Sequence, residues 1–203
     1  TNSIVSAYSY IASGLSNVVL VVGAERKNSP GQILEWDNSR GEYKHPIFWG
    51  TIFTKAHKRE FGTTEEDLAR VSAKNHKFAK DNPNAYSNKV FSIDELMNSK
   101  VLTEDLRVSD CSRPCSGASA VLITSEQVSK RFTDTPVWIK GIGQKTLSAG
   151  FTKNQNFSSL KSTREAAKTA FEMSKLNPSN IDVAEVHDAF TVCELMAIED
   201  LGL

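Results

Sequence analysis

The chain has little that would staple or anchor it from outside. Its 203 residues hold three cysteines, Cys111, Cys115 and Cys193, an odd number with no second pair and no metal-type spacing to the four histidines. That composition indicates neither a disulfide framework nor a metal site, and reduced thiols are the simpler reading. No apolar run approaches the roughly 18 residues a membrane helix needs, and Thr1 is not followed by a basic segment and a cleavable apolar stretch. A cytoplasmic chain without a membrane partner is expected. Charge of one sign is also lacking, with 24 basic against 24 acidic residues. There is therefore no global field to attract nucleic acid. No internal repeat or low-complexity tract is visible.

What is present alternates. Ile4, Ala7, Tyr8, Ile11 and Ala12 follow helical spacing from the first residues onward, and Gly202 is a helix stop one residue before the end. Both ends read as cuts inside a longer fold. Val18–Gly23, Ala118–Ile123, Val137–Gly143 and Ile181–Val186 are apolar runs, each suited to a strand buried on both faces of a parallel sheet. Between the first two lies a polar, aromatic-bearing section with turns at Asn28-Ser29-Pro30-Gly31 and Asp37–Gly41, expected to be an insertion or lid. Thr63-x-x-Glu66, Ser92-x-x-Glu95 and Ser162-x-x-Glu165 read as capping boxes. The first opens a helix with Leu68, Val71, Asn75 and Phe78 on related faces, and the last sets Ala166, Ala167, Ala170, Phe171 and Ser174 along one side. Thr191–Leu201 is the closing helix, with Val192, Leu195 and Met196 inward. Alternating strands and helices predict α/β layers with a mostly parallel sheet.

Ligands in open α/β sheets collect where strands end and helices begin. The stretch "AEVHDAF" sets His187 and Asp188 at such a place. An imidazole there can hold a water or steady a developing oxyanion; the plainer alternative is that Asp188 caps the next helix and His187 is packed. Cys111-Ser112-Arg113-Pro114-Cys115 offers a thiol near a cation but no positioned base. Gly141-Ile142-Gly143-Gln144 lacks the third glycine of a dinucleotide fingerprint, and close backbone approach is the fair reading. His57, His76 and the run Lys55–Arg59 read as solvated helix faces, with a basic patch beside an anionic phosphate tail as the alternative.

Taken together, "YIASGLSNVVLVVGAERKN", "FGTTEEDLARVSAKNHKFAKDNPNAY", "DLRVSDCSRPCSGASAVLITSE", "WIKGIGQ", "STREAAKTAFEMS" and "IDVAEVHDAFTVCELMAIEDLGL" resemble the thiolase superfamily, most closely its sterol-carrier-protein-x type and archaeal acetyl-CoA acetyltransferases. The resemblance runs over essentially the whole chain. It implies a layered α/β fold in two halves, here incomplete. Residues 1–23 and 108–132 would belong to the first half, 24–107 to an inserted loop domain on the coenzyme A side, and 133–203 to the start of the second half. It implies condensation of two acetyl-CoA to acetoacetyl-CoA through a cysteine acyl-enzyme, with the CoA thioester as substrate and neither cofactor nor metal. His187-Asp188-Ala189-Phe190 matches the Asn-Glu-Ala-Phe motif of the family, so His187 would be the oxyanion-hole residue, supported by Asp188 and Phe190. Gly143 and Gln144 would approach the pantetheine. The nucleophilic cysteine, the Gly-His-Pro histidine and the second catalytic cysteine of the family have no match among these residues, and Ser116 and Cys115 depart from the usual aspartate and threonine or serine. The chain alone is thus expected to be inert, or, in the alternative, a non-catalytic CoA-binding or scaffold protein. The resemblance further implies a homodimer or homotetramer, and as partners a hydroxymethylglutaryl-CoA synthase and a small acyl-CoA-binding protein.

Overall fold

A computed structural model of the chain describes residues 2–26, 46–148 and 156–203. The turns expected at Asn28–Gly31 and Asp37–Gly41 lie outside the described residues. Helix α1 (Asn2–Ala12) buries Ala7 and leads into strand β1 (Val18–Glu25). Helix α2 (Pro46–Phe61) opens on a proline, which loses no hydrogen bond in the first turn, and ends at Gly62 in the left-handed region at φ 73°. Then come α3 (Glu65–Ala79), α4 (Ile93–Met97), and the short strands β2 (Val101–Thr103) and β3 (Leu106–Arg107). Strand β4 (Gly117–Thr124), α5 (Glu126–Ser129), α6 (Lys161–Ser174) and α7 (Thr191–Leu201) complete the order.

Helices and strands are mixed as expected, but the regular alternation and the parallel sheet are both corrected: α2 to α4, β2 to β4 and α5 to α7 each run in succession. Both ladders among the described residues are antiparallel pairs, β1 with β4 and β2 with β3. The cause lies in the connection. Glu25 at the end of β1 faces Gly117 at the start of β4, so the long middle section leaves and returns at one point, as a hairpin loop does. An apolar run reports burial of a strand and not its direction. Val137–Gly143 and Ile181–Val186 are also corrected: they run without a ladder partner among the described residues, and Val137 and Val183 are 95% and 80% exposed.

The core sits around α7. Leu68 of α3, Leu106 of β3 and Phe190, Val192, Cys193 and Met196 form one buried cluster, with Ile47 and Phe53 of α2 packed against it. Val192 and Met196 are inward as expected, while Leu195 is half-buried. Of the face read on α3, Leu68 and Val71 are buried, Asn75 is half-buried, and Phe78 is 74% exposed.

The start of α3 lies one residue later than its expected box: Thr64 caps it, accepting from Asp67 N at 3.2 Å while Asp67 accepts from Thr64 N at 2.8 Å. Ser92 and Glu95 form the expected box on α4. On α6 the box at Ser162 is absent, because Asp200 of α7 replaces it. That buried carboxylate accepts from Ser159 Oγ at 2.9 Å, from the Leu160 backbone N–H and from the Arg164 guanidinium at 2.6 Å, tying the first turn of α6 to the end of α7.

Candidate active site

The turn that carries His187 is held from three sides. Its backbone joins the segment before β4: Ser112 N–H donates to Ala189 O at 3.0 Å, and Cys111 and Phe190 form an isolated antiparallel bridge. The Phe190 ring lies over α2, so close that a Cβ on Gly50 would stand 2.7 Å from it. Only a residue without a side chain lets that ring sit there. On the third side Asn75 of α3 donates from Nδ2 to Asp188 Oδ2 at 2.9 Å. Phe190 is the N-cap of α7, and no side chain caps that helix, so Asp188 is not its cap.

His187 itself is exposed and lines a broad cleft of about 1150 Å³. Gly143, Lys145, Leu160, Phe190 and Cys193 are on the same walls. The cleft therefore brings together His187, Phe190 and Gly143. Gln144 and Asp188 are placed elsewhere: the Gln144 amide donates to Asn2 Oδ1 of α1, and Asp188 faces α3. Gly143 and Gly141 meet a helix at close quarters. A Cβ on either would overlap the Ala166 or Ala170 carbonyl of α6, so the pair of glycines lets an extended segment lie directly on that helix. The first turn of α7 begins four residues after His187, a setting in which negative charge is favoured.

Burial raises two of the three thiols. Cys111 is half-buried, donates to Arg107 O at 3.4 Å, and its pKa is pushed up to about 11 by burial and by the Asp110 carboxylate, against a smaller pull from Arg113. Cys193 is raised first by burial, and also by Asp188. Cys115 is exposed. Asp110 is likewise raised, because burial outweighs the hydrogen bonds it accepts from Arg107 N at 2.8 Å and Thr191 Oγ1 at 3.3 Å.

The helix-face reading of His57 is corrected. It is 2% exposed, with Nδ1 2.6 Å from Thr63 Oγ1 and Nε2 3.0 Å from Glu199 Oε2, so it clamps α2 to α7. Lys55 and Lys58 are paired with Glu104 and Asp105 at 3.4 and 3.2 Å. His76 lies edge-on to Phe91. Among the described residues no helix is long and apolar enough to cross a membrane.

Sequence reasoning missed the partners of the turn. Asn75 was visible only as a polar residue on the apolar stripe of a helix, and Glu194, 4% exposed and bonded to Asn75 Nδ2 at 2.9 Å, gave no signal.

Comparison with known proteins bears on this arrangement. Residues 143–203, which include both Gly143 and the His187 turn, match the thiolase C-terminal domain-like family. Acetyl-CoA acetyltransferase of Methanothermobacter thermautotrophicus is 32% identical over 95% of this chain and 52% of its own length. Sterol carrier protein 2 of Bos taurus is 30% identical over 95% of this chain and 39% of its own. The chain spans about half the length of the acetyl-CoA acetyltransferases it matches. In fold, it superposes on a chain of the Ltp2-ChsH2(DUF35) aldolase with a TM-score of 0.87 at 23% identity, covering 99% of this chain and 56% of that one. A monomeric SCP2-thiolase like protein type 1 from Mycobacterium smegmatis gives 0.74 at 16% identity, covering 100% and 46%. Sequence and fold agree, and the chain belongs to the thiolase superfamily.

Proposed function

We propose that this chain is part of an acyl-CoA acetyltransferase that binds a CoA thioester in the cleft and uses His187 as an oxyanion donor. One observation carries the reading: His187 and Gly143 line one cleft. In the reaction, a thiolate from outside these residues attacks the thioester carbonyl. A new C–S bond forms while the carbonyl π electrons move to oxygen, and a ring N–H of His187 donates to that oxyanion. Collapse expels the CoA thiolate and leaves an acyl-enzyme. A base from outside these residues takes an α-proton from a second acetyl-CoA, and the carbanion attacks the acyl carbon, forming the C–C bond of acetoacetyl-CoA as the enzyme C–S bond breaks and the enzyme thiolate leaves. Gly143 lies on the cleft wall that the pantetheine would pass, and Gln144 fixes that segment to α1. The substrate is the CoA thioester itself, with no further cofactor.

The partner and location readings belong to the same proposal. A homodimer or homotetramer in the cytoplasm would hand acetoacetyl-CoA to a hydroxymethylglutaryl-CoA synthase with help from a small acyl-CoA-binding protein. The aldolase of similar fold is a complex with a DUF35 component, which favours a partner for this chain. The alternative of a non-catalytic CoA-binding scaffold makes a different prediction in one experiment. Replacing His187 by Ala in the full-length protein should lower kcat for acyl transfer by roughly 10²–10³ with the fold intact, the scale for losing one oxyanion donor. An unchanged rate refutes the role, and a wild-type protein that binds acyl-CoA without turnover favours the scaffold.

A further inference from the structure

The turn bearing His187 ends in a junction that the reaction scheme does not use. Asn75 Nδ2 lies 2.9 Å from Asp188 Oδ2 and 2.9 Å from Glu194 Oε2, so the two carboxylates stand within twice that distance of each other. An amide nitrogen has two hydrogens, one for each oxygen. The other oxygen of Glu194 is 2.6 Å from Lys74 Nζ, and the Glu194 side chain is 5% exposed. Two carboxylates this close repel in a partly desolvated place unless donors stand between them. Asn75 supplies those donors, and Lys74 supplies the compensating charge.

We infer that Asn75 is a positioning residue for His187: by holding Asp188 against Glu194, it fixes the direction in which the neighbouring imidazole enters the cleft. Glu194 orients the amide, and Lys74 holds Glu194 in place. This inference rests on the acyl-transfer reading for its kinetic consequence, but not for its structural one. The three restraints on the turn differ in kind. The backbone bridge from Cys111 and Ser112 and the Phe190 ring over Gly50 fix residues 189 and 190, whereas Asn75 is the restraint on residue 188, directly beside His187.

The test uses the full-length protein with Asn75→Leu, which keeps the volume and removes the donors, and Asn75→Asp, which also adds a third carboxylate. Since a misplacement of ~1 Å at a reacting group can cost ~100-fold, kcat per folded molecule should fall roughly 10- to 100-fold in Asn75→Leu, further in Asn75→Asp, with KM for acyl-CoA changed less than about twofold. A residue acting through His187 loses its effect once the ring is gone, so Asn75→Leu with His187→Ala should be no slower than His187→Ala alone. Unchanged kcat in Asn75→Leu, or additive losses in the double variant, overturns the inference. Should the wild-type protein show no turnover, the functional reading fails on its own. Amide hydrogen exchange then decides the positioning claim: protection at residues 187–189 should drop in Asn75→Leu while that of β1 stays, and unchanged protection there rejects it.

Discussion

Two regions of this chain are built on opposite terms. Around α7, side chains from α2, α3 and β3 close over Val192 and Met196 until neither is exposed, and the polar groups that enter each tie one element to another. Asp200 caps α6, His57 clamps two helices, and Glu194 holds Asn75. In the β1–β4 pair, which α1 adjoins, one face holds half-buried Val19 and Val21, buried Ile123 and Val121 at 46% exposed, while Val18, Leu20, Val22 and Leu122 on the other are 40–62% exposed. The same apolar composition therefore does different work. The helical region holds the turn with His187 from within this chain, whereas the strand pair depends on its ladder and on a single helix.

That contrast predicts a large asymmetry in the cost of truncation. In the 203-residue chain, Met196→Ala should destabilise by about 2–5 kcal/mol, the range for a buried side chain that leaves a cavity. Chemical denaturation would measure it, and a cost below about 1 kcal/mol would mean that the core around α7 is loose. Gly50→Ala should cost about 1–3 kcal/mol by forcing the Phe190 ring away. Because that ring anchors the turn, the full-length variant should also lose acyl transfer, seen as a lower kcat. Asp110 sharpens the comparison through pH. Its folded pKa lies above the ordinary 3.8, so the native state binds the proton more tightly than the unfolded chain and stability from this group is lost as pH rises through the folded value. Asp110→Asn should accordingly gain on the wild type as pH increases across that window, and denaturant midpoints that stay parallel would contradict it. Leu20→Ser on the open face should change stability by less than about 0.5 kcal/mol. A loss equal to that of Met196→Ala would erase the distinction between the two regions.

Much of this was legible in the sequence, for definite reasons. The closing helix was bounded correctly at Thr191 and Leu201 because Gly202, at φ 79°, is a stop that few other residues can make. The positions of β1 and β4 were plain from their β-branched runs. Their mutual direction was not, since it is set by where the middle section returns. At Thr63-Thr64 two overlapping boxes compete, Thr63 with Glu66 and Thr64 with Asp67, and local spacing cannot choose between them; the second is formed. His57 read as a surface residue because its second partner, Glu199, is 142 positions away. The candidate site divides in the same way. His187 was expected from the strand-to-helix pattern, Phe190 and Gly143 from the family resemblance, and the three line one cleft. Asn75 and Glu194 were not, because a carboxylate–amide–carboxylate junction has no sequence period.

The proposed chemistry requires the imidazole at 187 to face a bound thioester. A crystal structure of the full-length protein with a non-hydrolysable acyl-CoA analogue tests that most directly. The expected result is a His187 ring nitrogen about 2.7–3.1 Å from the position of the thioester oxygen, directly or through one held water, with the pantetheine passing Gly143. A thioester seated away from this cleft, with His187 left in solvent, would contradict it.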